Sequence, residues 1–564
     1  MPKPSFFMAV FILTAALFLS SSAALPANDV AGVALSGQVT SPKDGPMEGV
    51  VVGAKKEGST ITVNVTSDEK GRFSFPASKL EPGKYALKIR AAGYDLDGPK
   101  SVQVAGGKTA TANVKIKPTK DLSAQLTDAE WLLSIPGTEG QKNFLLGCNG
   151  CHTVERIVKA THSSDEWVQV FRRMSLYAPG SQPVRPQMTV GAVQRDRTRG
   201  FDPKMIADWL ASINVAYHSD KKFPLKTLPR PKGDATKAIV TEYDLPRPIA
   251  MPHDVVVDST GMAWYSDFGD QFIGKLDPKT GKVTEFPIPV LKKGFPLGTL
   301  DLQFDKDENL WVALMYQGGI AKFDRKAEKF QVYEIPKEWQ GDHTQQSMVS
   351  PTGSHVDGKV WTNNQDTHAI YRLDVGSGKF ENLGEFQIPG EKRSINAYGI
   401  PADAQNNLYL LEFGANNIGR IDAKTKEFKV YSTVTAGSRP RRGRFDEQGR
   451  LWFAEYGANG VGMLDPKTEK IQEWKLATAW SAPYAVVPDK NGDVWSGSMW
   501  TDRVARLNPK TGQVTEYLLP RETNIRRVFV DNSTTPITFW VGSNHGASVL
   551  KLEPLERNRE TASR

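Results

Sequence analysis

Cysteine is nearly absent from this chain of 564 residues: it has two, Cys148 and Cys151. That excludes a disulfide-stapled scaffold, and it excludes a four-cysteine zinc or iron–sulfur site. No long run of one charge occurs. The 71 Lys and Arg against 63 Asp and Glu leave a net charge of +8 spread along the chain. Such a balance favours mild attraction to anionic partners and argues only weakly for nucleic acid, which the N-terminal export signal speaks against. Beyond the N-terminus no apolar stretch approaches the ~20 residues of a membrane helix. Flavin and dinucleotide fingerprints are missing too.

The N-terminus itself reads as an export signal over 1–24. Lys3 supplies the positive start, Phe6 to Leu19 is apolar apart from Thr14, and Ser22-Ala23-Ala24 offers a small-residue cleavage site. The expected location is periplasmic or secreted, with no membrane span after signal removal. At about 150 residues per domain, the length suggests three or four domains.

Residues 35–117 alternate apolar and polar. Strands are expected at Leu35–Val39, Gly49–Ala54, Thr60–Thr66, Arg72–Phe75, Lys84–Arg90 and Ala110–Ile116, with turns at Asp68–Gly71 and Glu81–Gly83. The string from Gly37-Gln-Val through Asp68–Phe75 to Ala92-Gly-Tyr94 resembles the carboxypeptidase regulatory-like domain. That resemblance implies a transthyretin/Ig-like β-sandwich with an accessory role. No catalytic constellation is visible in it.

Cys148-Asn-Gly-Cys151-His152 is a C-x-x-C-H motif. Two thiols at this spacing form thioethers to haem vinyl groups, and the adjacent histidine binds the iron. A thioredoxin-like pair is the alternative. It is opposed by the histidine, by export, and by the motif's use of both cysteines. Helices are expected from Asp128, from the capping box Ser163-Ser-Asp-Glu166, and from Pro203. This region, 123–216, resembles small class I-like cytochromes c, including the closing Ala207–Ile213 string. The resemblance implies one covalent haem c held by Cys148, Cys151 and His152. Its Trp-x6-Met pattern implies Met174 as distal ligand, after Trp167. Met188 is the runner-up, with Met205 and His162 behind it.

An aromatic residue followed 13 positions later by an acid or amide recurs seven times: Trp264/Asp277, Trp311/Asp324, Trp361/Asp374, Tyr409/Asp422, Trp452/Asp465, Trp495/Asn508 and Trp540/Glu553. Repeats of this length predict a seven-bladed β-propeller over 237–553. The segment Ile239–Pro246 matches the outer strand that the last repeat lacks, so it should close the ring and remove a free edge. Ile418–Asp422, Leu451–Glu455 and Leu276–Glu285 carry a resemblance to the virginiamycin B (streptogramin) lyase propeller.

Two sets of positions should line the funnel. Eleven residues before the aromatic stand His253, Leu300, Tyr398, Arg441 and Tyr484. Three after it stand Asp267, Leu314, Asn364, Glu412, Glu455, Ser498 and Ser543. The lyase resemblance implies a base such as His253, a nearby carboxylate and a divalent metal in the funnel. It also implies a second histidine on a neighbouring blade, where this chain has Tyr398, Arg441 and Tyr484. The expected catalytic set is His253, Tyr398, Glu412 and Glu455. Arg441, Tyr484 and Arg526 are the expected binding groups for a small, anionic substrate, and the wider arginine group (439, 441, 442, 444, 526, 527) reads either as such a site or as a solvated basic rim.

The fold expected is therefore mostly β and multidomain: sandwich, small all-α cytochrome c domain, seven-bladed propeller. The function expected is periplasmic electron transfer by an oxidoreductase whose propeller binds the substrate or a redox partner, an electron donor or acceptor. A C–O lyase with an attached cytochrome and a non-catalytic electron-transfer or sensing protein are the alternatives.

Overall fold

The computed structural model describes residue 1 and residues 32–190, 200–220, 222–340 and 346–555. The signal expected over 1–24 lies outside the described residues, apart from Met1. No described helix is long and apolar enough to cross a membrane.

The chain is mostly β, with an Ig-like N-terminal sandwich and a propeller. In the sandwich, Val33–Ser41 is the hub of one sheet. It pairs with Arg72–Pro76, Gly45–Pro46, Ala110–Thr111 and Val114–Pro118. The second sheet runs Ile61–Thr66, Val51–Lys56, Gly83–Arg90, Ser101–Val104. Leu35, Val39, Val52, Phe75 and Ile116 fill the space between. Three strands escape sequence reading, Gly45–Pro46, Tyr94–Gly98 and Ser101–Val104, and the strand expected over 110–116 breaks into two.

Seven four-stranded blades follow: six run from Pro252 to Leu518, and the seventh joins Ile525–Asp531, Thr538–Ser543 and Ser548–Pro554 to the early strand Ala238–Asp244. The recurrent residues have definite work. The acid or amide 13 after the aromatic opens the turn between third and fourth strands; Asp277 accepts from the Lys279 N–H at 2.9 Å, and Asn508 from Lys510 at 3.0 Å. Glu553 departs from this. Among the described residues no fourth strand follows it, and its carboxylate pairs with Lys79 and Lys551. Four of the six tryptophans are fixed from the other side by an aspartate six residues earlier: Trp264 Nε1 to Asp258 at 2.8 Å, Trp311 to Asp305 at 2.9 Å, Trp452 to Asp446 at 2.8 Å and Trp495 to Asp489 at 2.7 Å; Trp361 donates to Asn406 O and Trp540 to Thr538 instead.

Ala238–Asp244 does more than close the ring. One edge pairs with Ser548–Pro554 and the other with Ile61–Thr66 of the sandwich. Sandwich and seventh blade are thus one continuous eight-stranded sheet. Ile239 enters the sandwich core, whereas Tyr243 stacks on Trp540 in the core beside blade one. Ion pairs Lys55–Asp244, Lys79–Glu553 and Arg90–Asp502 seal the joint.

Between sandwich and ring lies a helical unit: α1 (Asp128–Ser134), α2 (Glu139–Leu145), α3 (Val154–Val158), α4 (Ser164–Met174) and α5 (Pro203–His218). Capping boxes at Thr127, Thr138 and Ser163 start α1, α2 and α4. The short α2 and α3 were not expected from the sequence. Trp131, Phe144, Leu145, Trp167, Ile206 and Leu210 form its core.

A proline in the shared strand tests the joint. Val240→Pro removes a ladder hydrogen bond between two paired neighbours and should cost on the order of 3 kcal/mol. Chemical denaturation should then show two separated transitions in place of one; an unchanged profile would argue against the strand as the joint.

Candidate functional site

Each inner strand begins with an irregularity that aims side chains at the axis. Its first residue pairs with the last residue of the second strand: Pro252 with Asp267, Thr299 with Leu314, Ala397 with Glu412, Pro440 with Glu455, Pro483 with Ser498, Ile525 with Ser543. The register then slips, as a β-bulge requires, because the inner strand carries an extra residue. The residues released in this way are His253-Asp254, Leu300-Asp301, Tyr398, Arg441-Arg442, Tyr484-Ala485 and Arg526-Arg527.

They converge in a continuous buried network. Nδ1 of His253 donates to Asp254 at 2.6 Å, so Nε2 accepts from the Tyr484 hydroxyl at 3.0 Å. The Tyr484 oxygen in turn accepts from Tyr398. Burial pushes the His253 imidazole down to about 3 against the pull of Asp254. Burial also opposes ionisation of Tyr398, but Arg441 and Arg442 outweigh it and hold its hydroxyl below the usual tyrosine value. Below this chain, Asp254 takes both Arg442, at 2.9 Å, and Arg527, at 2.9 Å; Arg527 also pairs with Asp301. Two acids and two arginines balance. On the far side the quartet faces a cavity of about 230 Å³ lined by Asp301, Gln303, Met348, Ile400, Arg444 and Val528.

Four of the six arginines are not a solvated rim, whereas Arg439 and Arg444 are partly exposed. Arg441, Arg442, Arg526 and Arg527 are 3–7% exposed. The carboxylates Glu412 and Glu455 do not form a catalytic pair either. Glu412 is held within its own blade by Arg393 and by Asn417 at 2.7 Å. Glu455 lies beside Glu473, and burial with that neighbour pushes its carboxyl up to about 8. His253 has both ring nitrogens engaged, so it is not poised as a metal ligand. Among the described residues no three His, Cys, Asp or Glu side chains converge as metal ligands.

The Cys148–His152 loop sits on this axial mouth. Arg526 Nη2 donates to the Gly150 carbonyl at 3.3 Å, and Asn524 meets Asn149. The Ala129 N–H reaches Trp500 O at 2.9 Å. The segment after α4 clamps blades one and two: Gln182 Nε2 donates to Ile249 O at 2.7 Å, Gln187 bonds Gly269 and Leu297, and Arg185 pairs with Asp270. Inside the loop, buried Asp128 accepts from the Val154 N–H at 2.7 Å and from Asn149, bracing both sides of the motif. Sequence reading missed Asp128, as it missed Asp254 and Asp301; the arginine partners of Asp254 and Asp301 and the loop partners of Asp128 lie far away along the chain.

Cys148, Cys151 and His152 are the residues that could hold the haem c expected from the motif. Cys148 and Cys151 are half-buried and not joined as a disulfide. His152 Nδ1 contacts the Thr153 carbonyl at 3.2 Å, an arrangement that leaves Nε2 as the lone-pair nitrogen. Met174 is half-buried one turn after Phe171, which packs on Phe144 of α2. Met188 and Met205 are each 47% exposed, and His162 packs edge-on against Trp167.

Comparison with known proteins agrees with the two β units. Residues 293–525 match the virginiamycin B lyase family model and residues 34–117 the carboxypeptidase regulatory-like domain model. The lyase match leaves out blade one, and with it His253, and all of blade seven but its first residue, and with it Arg526 and Arg527. No curated protein matches the chain. Among solved structures, a streptogramin B lyase is 20% identical, covering 57% of this chain and 100% of its own at a TM-score of 0.49. A catalytically inactive histidine-to-alanine variant of virginiamycin B lyase from Staphylococcus aureus, with quinupristin, is 20% identical over 56% and 99%, at 0.48. The extracellular domain of a proposed hybrid two-component system from B. thetaiotaomicron is 18% identical over 55% and 41%, at 0.42.

Glu455 gives the site a pH signature. Its proton stays on until about pH 8 in the folded chain but leaves near pH 4.3 when unfolded. Its contribution is therefore full below the unfolded value and is lost as pH rises through the folded one. Glu455→Gln should match wild-type melting near pH 4 and exceed it above pH 8. Parallel melting curves at both pH values would contradict this.

Proposed function

We propose that this is an exported electron-transfer protein of the c-type haem class, an oxidoreductase whose propeller axis receives the substrate or redox partner. The reading rests above all on one observation: the Cys148–His152 loop is fixed against the axial mouth by Arg526 and Asn524, directly over the Tyr398–Tyr484–His253 network. In this reading Cys148 and Cys151 bind the haem covalently, His152 is the proximal ligand and Met174 the distal one. When bound, the haem takes up and passes on one electron at a time.

The chain's own residues do the rest. Asp128 holds the motif loop in shape. Gln182, Arg185 and Gln187 hold the segment after α4 against blades one and two. Tyr398, with its lowered hydroxyl and its bond to Tyr484, is placed to release a proton there and take it back. His253, kept neutral by burial, orients Tyr484 and is a positioning residue. Glu412 and Glu455 support blades four and five.

The family match over blades two to six favours a second reading, elimination on a cyclic ester. Its weak point is His253, the histidine at the expected place, whose nitrogens are both bonded and whose basicity is suppressed.

Expression alongside a c-type maturation system tests the main reading. The wild-type chain should carry haem that survives denaturation and shows an α-band on reduction, and Cys148→Ala/Cys151→Ala should carry none. Met174→Ala should lower the midpoint potential, with Met188→Ala unchanged, since loss of a thioether ligand favours the oxidised iron. A wild-type chain that matures without haem, while a control cytochrome c is loaded in the same cells, would overturn it.

A further inference from the structure

Arg441 and Arg526 differ from the two arginines beneath them in having no anion. The guanidinium of Arg441 lies 3.8 Å from the Tyr484 ring centre, 4.4 Å from Phe413, 4.7 Å from Tyr456 and 4.9 Å from Tyr398. Its polar contacts are with neutral groups, the Tyr398 hydroxyl and, at 3.8 Å, the soft Met499 sulfur, and its Nε is buried without a partner. Arg526 also stands over Tyr484, at 5.5 Å; beyond the Gly150 carbonyl its Nε too is buried and unmatched. Among the described residues no carboxylate comes within ion-pair distance of either. On the same wall, Ser543 Oγ and both amide atoms of Asn544 are buried without partners.

A buried charge left unpaired is strongly unfavourable, and one level below the fold pairs each arginine with an aspartate. The faces of Arg441 are covered by rings, so its donors are available at the edge, where a guanidinium grips a planar carboxylate in two parallel bonds. The surrounding Phe268, Phe413, Tyr456 and Met499 suit the carbon body of an organic acid better than a hydrated inorganic anion.

We propose that Arg441 and Arg526 form a carboxylate-binding site at the seam between the motif loop and the propeller axis. The carboxylate belongs to a small organic acid or to a propionate of the haem itself; the second source rests on the proposed function, the first does not.

The test is a titration of the purified full chain with benzoate, succinate and acetate, with sulfate at matched ionic strength as the control. Binding is read by calorimetry and the haem midpoint potential by spectroelectrochemistry. For a free acid, at least one carboxylate binds one-to-one, Arg441→Gln and Arg526→Gln each weaken it about tenfold or more, and Arg526→Lys restores part of the loss. For a propionate, no added acid binds, and both glutamine variants shift the oxidised-to-reduced ratio at fixed poise about tenfold toward oxidised, which is 59 mV for one electron. Arg441→Lys and Arg526→Lys, which retain charge and bulk, separate either result from misfolding. The proposal is overturned if no carboxylate binds and the potential is unmoved, or if sulfate binds as tightly as the acids. A chain that carries no haem defeats the function proposed above, yet the titration still decides the site, and absence of binding then overturns it.

Discussion

Ring closure is the constraint from which the rest of this architecture follows. A propeller's last blade must find an outer strand, and here Ala238–Asp244 provides it from the N-terminal side. Because the other edge of that strand is paired to the sandwich, the sandwich is rigidly part of blade seven. The chain between them leaves the sandwich at Pro118 and returns at Ala238, so both ends of the helical unit are anchored beside the same blade. A unit tethered in this way has little choice but to fold back over the adjoining face of the ring. Its contacts with Trp500, Asn524, Arg526 and Gly269 fall on blades six, seven and one. The position of the Cys148–His152 loop over the axis is thus a consequence of how the ring is closed.

Charge along the axis is then distributed in two layers with different logic. The lower layer is self-sufficient: Asp254 and Asp301 each meet Arg442 and Arg527, and four blades are tied through it. Breaking one member would leave a buried charge, which typically costs about 3–5 kcal/mol. The upper layer is unbalanced, with two arginines, two tyrosines and a neutral histidine. Aromatic faces can shield a guanidinium and attract it, but each such contact is worth only about 0.5–2 kcal/mol. That is a holding arrangement for a cation, and it lacks the full compensation that the lower layer has. The two layers share the same bulges, so one local backbone device supplies both a structural clamp and an open valence.

Much of this was legible in the sequence, and the exceptions have physical reasons. The seven aromatic positions marked the blades because each sits on a second strand of nearly constant length, and the acid 13 later survives as the cap of a tight turn. The exchanged outer strand was legible because its Val-Thr-Glu-Tyr pattern is the one the last repeat lacks. Arg526 fell out of the eleven-residue spacing because the hairpin of blade seven between Asp531 and Thr538 is longer than its counterparts. Asp254 and Asp301 were overlooked because a strand with period two presents one residue in two to a given side, whereas the bulge presents two in succession. Asp128 could not be found at all: its partners Asn149 and Val154 lie more than twenty positions away. Glu412 and Glu455 looked like a pair because they share a repeat position, but the seven-fold arrangement separates such positions onto different blades, and each side chain settles its charge locally.

The polar character of the seam bears on how the helical unit works. Its bonds to the ring are mostly from side chains to backbone carbonyls: Gln182 to Ile249, Gln187 to Gly269 and Leu297, Arg526 to Gly150. Such bonds fix position without a large apolar interface. An electron carrier that had to swing between partners would gain from a slippery joint with few directional contacts. This unit has many, spread over blades one, two, six and seven, so movement away from the axis would break them together. A group held by Cys148 and Cys151 would therefore meet the axial residues at a set distance in every molecule. Covalent fusion already raises the effective concentration of two tethered sites; the directional seam goes further and fixes their orientation, which is what proximity effects in catalysis depend on.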